Sequence, residues 1–202
     1  LSDYISGPSL SPQGDYLAVV ETQRTDDGKT TKLNVYKTSE NTKKAEEFTR
    51  ENKKILDADP QDIVNKAPSV FKREVAYTLN QKNNSGINNP RWLDKDTIIY
   101  GAATLASVNS RHQDLFSWHL PTNTVKQLTK SANIRRFDIS NDGQYIIAER
   151  NRFGYSQLVK VSLSLSSIGQ VTEELTQKSL EHVYDFPRLR PTSDGKPSDS
   201  FA

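Results

Sequence analysis

The sequence predicts an all-β protein with a small helical insertion, a partial β-propeller made of four-stranded antiparallel blades. The main evidence is a short motif that occurs four times and reads as a strand end, a tight turn and the start of an apolar strand. The clearest copies cover residues 10–18 and 139–148, a degenerate copy covers 90–100, and a partial copy begins at Pro187. Repetition about every 40–50 residues, with several short strands in each repeat, is typical of propeller blades.

The turns inside the motif have the residues that tight turns require. Pro12 suits a turn entry because its ring fixes φ and it has no N–H to donate. Gly14 and Gly143 can adopt a positive φ without a clash. Residues 145–148 form an apolar run of strand length. We therefore expect a tight hairpin that joins 137–140 to an antiparallel strand over 145–150.

Composition excludes several classes of function. The net charge of +2 gives no nucleic-acid footprint, and no run approaches the roughly 18 apolar residues of a membrane span. The absence of cysteine excludes disulfides, thiolate metal sites and a cysteine nucleophile. The chain starts at Leu1 and contains no methionine, so we expect that its natural N-terminus was removed or lies outside this sequence.

The repeats divide the chain into five segments. We predict propeller blades over 1–40, 86–130 and 131–180. Residues 41–85 are predicted to be a mainly helical insertion that returns to strand, which explains why the first two copies of the motif are so far apart. Residues 181–202 are predicted to begin a further blade or to form a disordered tail.

The insertion changes from strand to helix periodicity. Apolar residues near 3.6 spacing, among them Phe48 and Ile55, predict a helix over 41–56, and Asp59 can cap a second short helix over 61–66. Alternation over 73–81 predicts the return strand, and 83–86 reads as a loop. The other predicted strands cover 7–10, 16–22, 31–37, 97–101, 114–120, 125–129, 137–140, 145–150, 157–163 and 170–176.

No residue pattern carries serine-hydrolase chemistry. A serine nucleophile needs a strained strand-to-helix turn with glycine on both sides. Gly154 and Ser156 provide the first half of that pattern, but Leu158 stands where the second glycine belongs. Strands rather than a helix follow. We therefore predict no catalytic residue here.

Metal and cofactor sites are not predicted either. His112 and His119 flank a strand seven positions apart, which is not the one-turn spacing of a metallohydrolase, so they read as rim histidines. The acidic run of Asp57, Asp59 and Asp62 faintly resembles a calcium loop, but Asp62 occupies the position that needs glycine. Helix capping by Asp59 is the better interpretation.

Other features have ordinary structural interpretations. Trp92 and Trp118 could form an aromatic binding surface, but both lie in strand patterns and are better explained as blade core. The basic cluster at 134–136 reads as solvated surface. The triplet at 83–85 fits a glycosylation acceptor, which matters only in a eukaryotic secretory setting.

Taken together, these residues resemble the TolB-type propeller repeat, a WD40-like or PD40-type repeat found also in the propellers of prolyl-oligopeptidase-type peptidases. In that family a Ser-Pro-Asp-Gly-Lys turn precedes a strand ending in Ile-Ala, and Leu-Thr closes the blade. Residues 150–158 also resemble the family's loop before the third strand, and the likeness covers the chain except about 41–85. The matching positions are the turn at 140–143, Ala18, Ala148, and Leu-Thr at 128–129 and 175–176.

The resemblance implies a periplasmic, cell-envelope or secreted location, and a ring of six to eight blades. We therefore expect the chain to be part of a larger protein, because a shorter stack leaves sheet edges open. The function expected is a non-catalytic scaffold that binds a protein or peptide partner, or the remaining blades of the same protein. The alternative is the substrate-gating propeller of a serine or metallo-peptidase whose catalytic module lies outside this chain. The predicted partner-binding residues are Phe48, Ile55, Arg152, Phe153 and Tyr155.

Overall fold

The computed structural model describes residues 4–26, 28–39, 46, 50, 53, 57, 74–79, 85–107, 110–180, 184 and 187–189. These residues form three four-stranded antiparallel sheets, each with its strands in chain order. The chain is therefore a partial propeller, as the repeat predicts.

The first sheet contains β1 (Tyr4–Leu10), β2 (Tyr16–Thr25), β3 (Gly28–Lys37) and β4 (Val75–Thr78). The second contains β5 (Ser85–Trp92), β6 (Thr97–Ser107), β7 (Ser110–His119) and β8 (Thr124–Gln127). The third contains β9 (Ile134–Ile139), β10 (Tyr145–Arg152), β11 (Tyr155–Ser162) and β12 (Val171–Glu174).

The hairpin predicted around Gly143 is confirmed. Strands β9 and β10 pair antiparallel, with Ile139 opposite Ile146. Gly143 has a φ of +67°, and its N–H donates to the Ser140 carbonyl at 2.8 Å. The Ser140 hydroxyl oxygen also accepts from the N–H of Tyr145 at 3.0 Å. The serine that opens the turn thus holds both ends of it.

The β1–β2 turn repeats this arrangement. The N–H of Gly14 donates to the Ser11 carbonyl at 2.9 Å, and the N–H of Tyr16 donates to the Ser11 hydroxyl at 3.0 Å. In the degenerate copy, which lacks the glycine, the carboxylate of Asp94 accepts instead from the N–H of Asp96 at 2.8 Å. The repeat therefore survives the loss of its glycine through an aspartate turn.

The loop predicted over 83–86 is wrong at Ser85 and Gly86, which belong to β5 and pair with β6. Strand β5 is irregular: its register shifts twice, and Gly86 and Asn89 have φ values of +70° and +47°. The turn-forming residues are thus accommodated as bulges inside a strand. Turn composition alone cannot distinguish the two.

The predicted return strand is present as β4, which completes the first sheet by pairing with β3. Residues 46, 50, 53 and 57, within the predicted insertion, are helical and exposed. Phe48 and Ile55 lie outside the described residues. No helix among the described residues combines the length and the apolarity needed to cross a membrane.

The described residues form two hydrophobic cores between neighbouring sheets. The second sheet serves both, because its strand residues alternate in direction: Ile98 and Tyr100 pack toward the first sheet, whereas Ile99 packs toward the third. Trp92 and Trp118 are both buried in the first core, which confirms that they are blade-core residues rather than a binding surface.

A small cluster of charges joins strands β5 and β9 and the described residues 187–189. Arg91, Asp138 and Arg188 occupy equivalent positions, one residue after the start of their repeats. Asp138 Oδ1 lies 3.7 Å from Arg91 Nε and 3.9 Å from Arg188 Nη1. Burial, and then the charge of Arg188, lowers the pKa of Arg91, while Asp138 opposes that effect. The Asp138 carboxylate therefore lies between two arginines that belong to different repeats.

The connections lie at two opposite faces of the stack, because the strands of each sheet run up and down in turn. Strand β3 ends beside the Gly14 turn, where the N–H of Thr38 donates to the Asp15 carbonyl at 2.9 Å. The chain thus leaves for the insertion at the face that carries the Gly14 and Gly143 turns. The β10–β11 hairpin lies at the other face.

Candidate functional site

A pocket of about 200 Å³ lies at the β10–β11 end of the third blade. It brings together three of the five predicted partner-binding residues, whereas Phe48 and Ile55 lie outside the described part of the chain. The pocket is lined by Arg150, Arg152, Phe153, Tyr155, Gln157, Glu174 and Lys178.

The hairpin at the rim of the pocket has a strained backbone. Arg152 pairs with Tyr155, so the turn contains only Phe153 and Gly154, with φ values of +52° and +82°. A two-residue turn with two positive φ angles suits Asn-Gly, and a bulky residue at its first position costs about 1–2 kcal/mol. Phe153 gains no burial in return, since 86% of it is exposed. Within the described residues, the one aromatic or cation–π contact of its ring is with the guanidinium of Arg152, which lies 5.3 Å from the ring centroid.

Arg150 forms the floor of the pocket. Its Nη2 group donates to Gln157 Oε1 at 2.7 Å and to Glu174 Oε1 at 2.6 Å. Its Nε group is buried and has no hydrogen-bond partner among the described residues. Glu174 lies on the outermost strand, β12, and 52% of its side chain is exposed. Gln157 first, and then Arg150, hold the pKa of Glu174 below its usual range, so Glu174 is an anion at neutral pH.

The same position is used differently in the second blade. Asp114 and Gln157 are equivalent, because each precedes a leucine whose N–H donates to the threonine that closes the blade. Those bonds join Leu115 to Thr129 at 2.9 Å and Leu158 to Thr176 at 3.0 Å. Asp114 is fully buried and accepts four hydrogen bonds, from the hydroxyls of Thr104 and Thr129 and the N–H groups of Ser131 and Ala132. It fastens the connection to the third blade.

Gln157 makes fewer bonds of this kind. Its amide N–H donates to the Thr176 carbonyl at 3.1 Å, and its carbonyl oxygen binds Arg150. The strand partner of Asp114 is Ala102, whereas the strand partner of Gln157 is Arg150. The third blade thus has Arg150 where the second has Ala102, and Gln157 where the second has Asp114. This pair lines a solvent-facing pocket, whereas the second blade has a closed cap at the same place.

Three rim residues of this pocket are predicted from the sequence, whereas Arg150 at its floor is not. Arg150 and Arg152 are two positions apart on one strand, so they lie on the same side of the sheet, and that spacing was an available signal. Glu174 and Lys178 gave no local signal, because they reach the pocket only through the pairing of β11 with β12.

Ser156 is a strand residue in this structure. It lies within β11, is 3% exposed, and its hydroxyl accepts from the N–H of Tyr184 at 3.3 Å. His112 contacts the hydroxyl of Ser110 at 3.0 Å, and His119 contacts that of Thr122 at 2.9 Å. Among the described residues, no three side chains of the metal-binding types form a group that could hold a metal ion.

Three solved structures have a similar fold. TolB from Acinetobacter baumannii is 19% identical over 98% of this chain and 40% of that chain, with a TM-score of 0.52. The β-propeller domain of the Trilobed protease from Pyrococcus furiosus is 14% identical over 94% and 46%, with a TM-score of 0.52. The acylaminoacyl peptidase of Pyrococcus horikoshii is 11% identical over 93% and 26%, with a TM-score of 0.55.

No family model and no curated protein matches the sequence. The chain spans less than half the length of each of these three proteins. At such low identity the likeness concerns the fold alone. At that level, the predicted resemblance to TolB-type and peptidase-linked propellers is confirmed.

Proposed function

We propose that this chain is a non-catalytic propeller scaffold that binds a protein or peptide partner at the third-blade pocket. The proposal rests on the exposure and the backbone conformation of Phe153. A large apolar side chain stands almost fully in solvent on a left-handed backbone, where it costs stability and packs against little of its own chain. Such a residue is explained by a contact made with another molecule.

The surroundings of Phe153 support the proposal. Tyr155, 39% exposed, stands beside it on the same hairpin, and Arg152 covers part of its ring. Exposed aromatic and arginine side chains around a concave site are the residue types that dominate binding energy at protein interfaces. The resemblance to TolB-type propellers supports the proposal that the scaffold belongs to a larger protein of the periplasm or cell envelope.

A random peptide library displayed on phage tests the proposal. We expect the chain to enrich peptides whose binding is lost when Phe153→Ala and Tyr155→Ala are combined. The matched control is Leu165→Ala, which removes a side chain that is 97% exposed in the β11–β12 connection, at the other face. Enriched peptides that bind the double variant as well as the original chain would contradict the proposal, as would the absence of any enrichment.

The second candidate is a substrate-gating domain of a peptidase. It is supported by the fold likeness to the propeller of the Trilobed protease and to an acylaminoacyl peptidase. The gene beyond these residues distinguishes the two candidates. A hydrolase module encoded with the propeller would favour gating, and its absence would favour the scaffold.

A further inference from the structure

We infer that the third-blade pocket takes an acidic peptide segment, one of whose carboxylates replaces Glu174 on the guanidinium of Arg150. The inference rests on the proposed function and adds the chemistry of the partner.

Among the described residues, three cationic side chains line the pocket, those of Arg150, Arg152 and Lys178, against one carboxylate, that of Glu174. Arg152 and Lys178 are exposed, so their charges face any molecule that enters. An anionic segment is therefore attracted to this end of the blade, and a cationic one is repelled.

The geometry of Arg150 favours a second carboxylate over the resident one. Glu174 bonds only Nη2 of Arg150, and Nε, on the same edge of the guanidinium, is buried without a partner among the described residues, so a second carboxylate reaches Nε only by taking the place of Glu174. A carboxylate that bonds Nε and Nη2 together forms the paired arrangement in which arginine binds carboxylates best. Arg150 is thus incompletely used by its own chain.

Glu174 is the accessible half of its ion pair. It lies on the short outermost strand with 52% of its side chain exposed, whereas 12% of the Arg150 side chain is exposed, so an incoming ligand meets Glu174 first. In this arrangement Glu174 occupies the anion position until a better ligand arrives. The rings of Phe153 and Tyr155 then lie beside the peptide and can pack against its apolar groups.

The probe is a blocked peptide of sequence Phe-Glu-Asp-Phe carrying a rhodamine label, compared with its neutral counterpart Phe-Gln-Asn-Phe by fluorescence anisotropy. We expect the acidic peptide to bind about tenfold more tightly, or better, because its bonds to arginine are charge-assisted. The difference should shrink as salt rises, because the rim charges are exposed and screened.

Two charge-removing variants locate the site. Glu174→Gln should raise the affinity for the acidic peptide roughly threefold or more, because it removes the negative charge that repels the peptide and competes for Arg150. The matched control, Glu173→Gln, removes the same charge from the neighbouring exposed residue on the same strand and should leave the affinity nearly unchanged. Equal effects of the two variants would reduce the result to overall charge and overturn the inference.

The outcomes separate this inference from the proposed function. If library peptides depend on Phe153 and Tyr155 but show no preference for acidic residues, the inference is wrong and the scaffold function stands. Equal binding of the acidic and neutral probes would lead to the same conclusion. If no peptide depends on these two rings, both proposals fail.

Discussion

The second and third blades close in different ways, although their strands and their closing Leu-Thr pairs correspond. In the second blade a fully buried carboxylate, that of Asp114, gathers four donors and fixes the connection to the next blade. In the third blade Gln157 keeps one bond to Thr176 and otherwise supports Arg150. Equivalent positions of the repeat therefore give a closed cap in the second blade and a pocket in the third.

The largest expected effect is at the cap of the second blade. Asp114→Ala should lower the free energy of unfolding by about 3–5 kcal/mol, because two hydroxyls and two backbone N–H groups lose a buried charged acceptor. Urea unfolding measures it. The matched change in the third blade, Gln157→Ala, should cost about 1 kcal/mol. Equal losses would show that the two blades close alike and would remove the contrast.

The two closing threonines give a finer test. Thr176→Val removes one acceptor, that of the Leu158 N–H, and should cost about 1 kcal/mol. Thr129→Val removes the equivalent acceptor and also a donor to Asp114, so it should cost about 2–3 kcal/mol. Valine preserves the shape in both. Indistinguishable midpoints in urea would mean that the carboxylate adds nothing to the closure.

The smallest effect concerns the rim of the third-blade pocket, and its sign is opposite. Phe153→Asn should raise the free energy of unfolding by about 1 kcal/mol, because asparagine tolerates the left-handed backbone better than phenylalanine. The same change should weaken peptide binding. Leu165→Asn, at an exposed position without a positive φ, is the control and should leave stability unchanged. A Phe153 variant that is less stable would show that the ring supports the fold.

The sequence was most informative where structure is decided locally. The Gly143 hairpin and the burial of Trp118 follow from turn residues and strand alternation within a few positions. Arg152, Phe153 and Tyr155 are predicted within 150–158, the segment that resembles the family's loop before the third strand. Whether they bind a partner stays a prediction.

The rest depends on pairing between distant positions. The floor of the pocket requires β10, β11 and β12 to lie side by side, so that Arg150 meets Glu174. The hydrogen bonds of Asp114 require the chain that follows β8 to fold back against β7. The start of strand β5 is not predicted, because glycine at position 86 is typical of a turn. Its place in a strand follows only from the pairing of β5 with β6.

The charges at Arg91, Asp138 and Arg188 alternate in sign from one repeat to the next, whereas the first repeat has the neutral Ser9 at this position. Sheets of similar shape could stack in several orders, but the repeat of Arg91 and the repeat of Arg188 carry like charges and each finds its opposite in Asp138. A stack that placed the two arginine repeats side by side would bring two partly desolvated cations together without a carboxylate. The order of these three repeats is thus favoured by the sign of their charges as well as by the connecting chain.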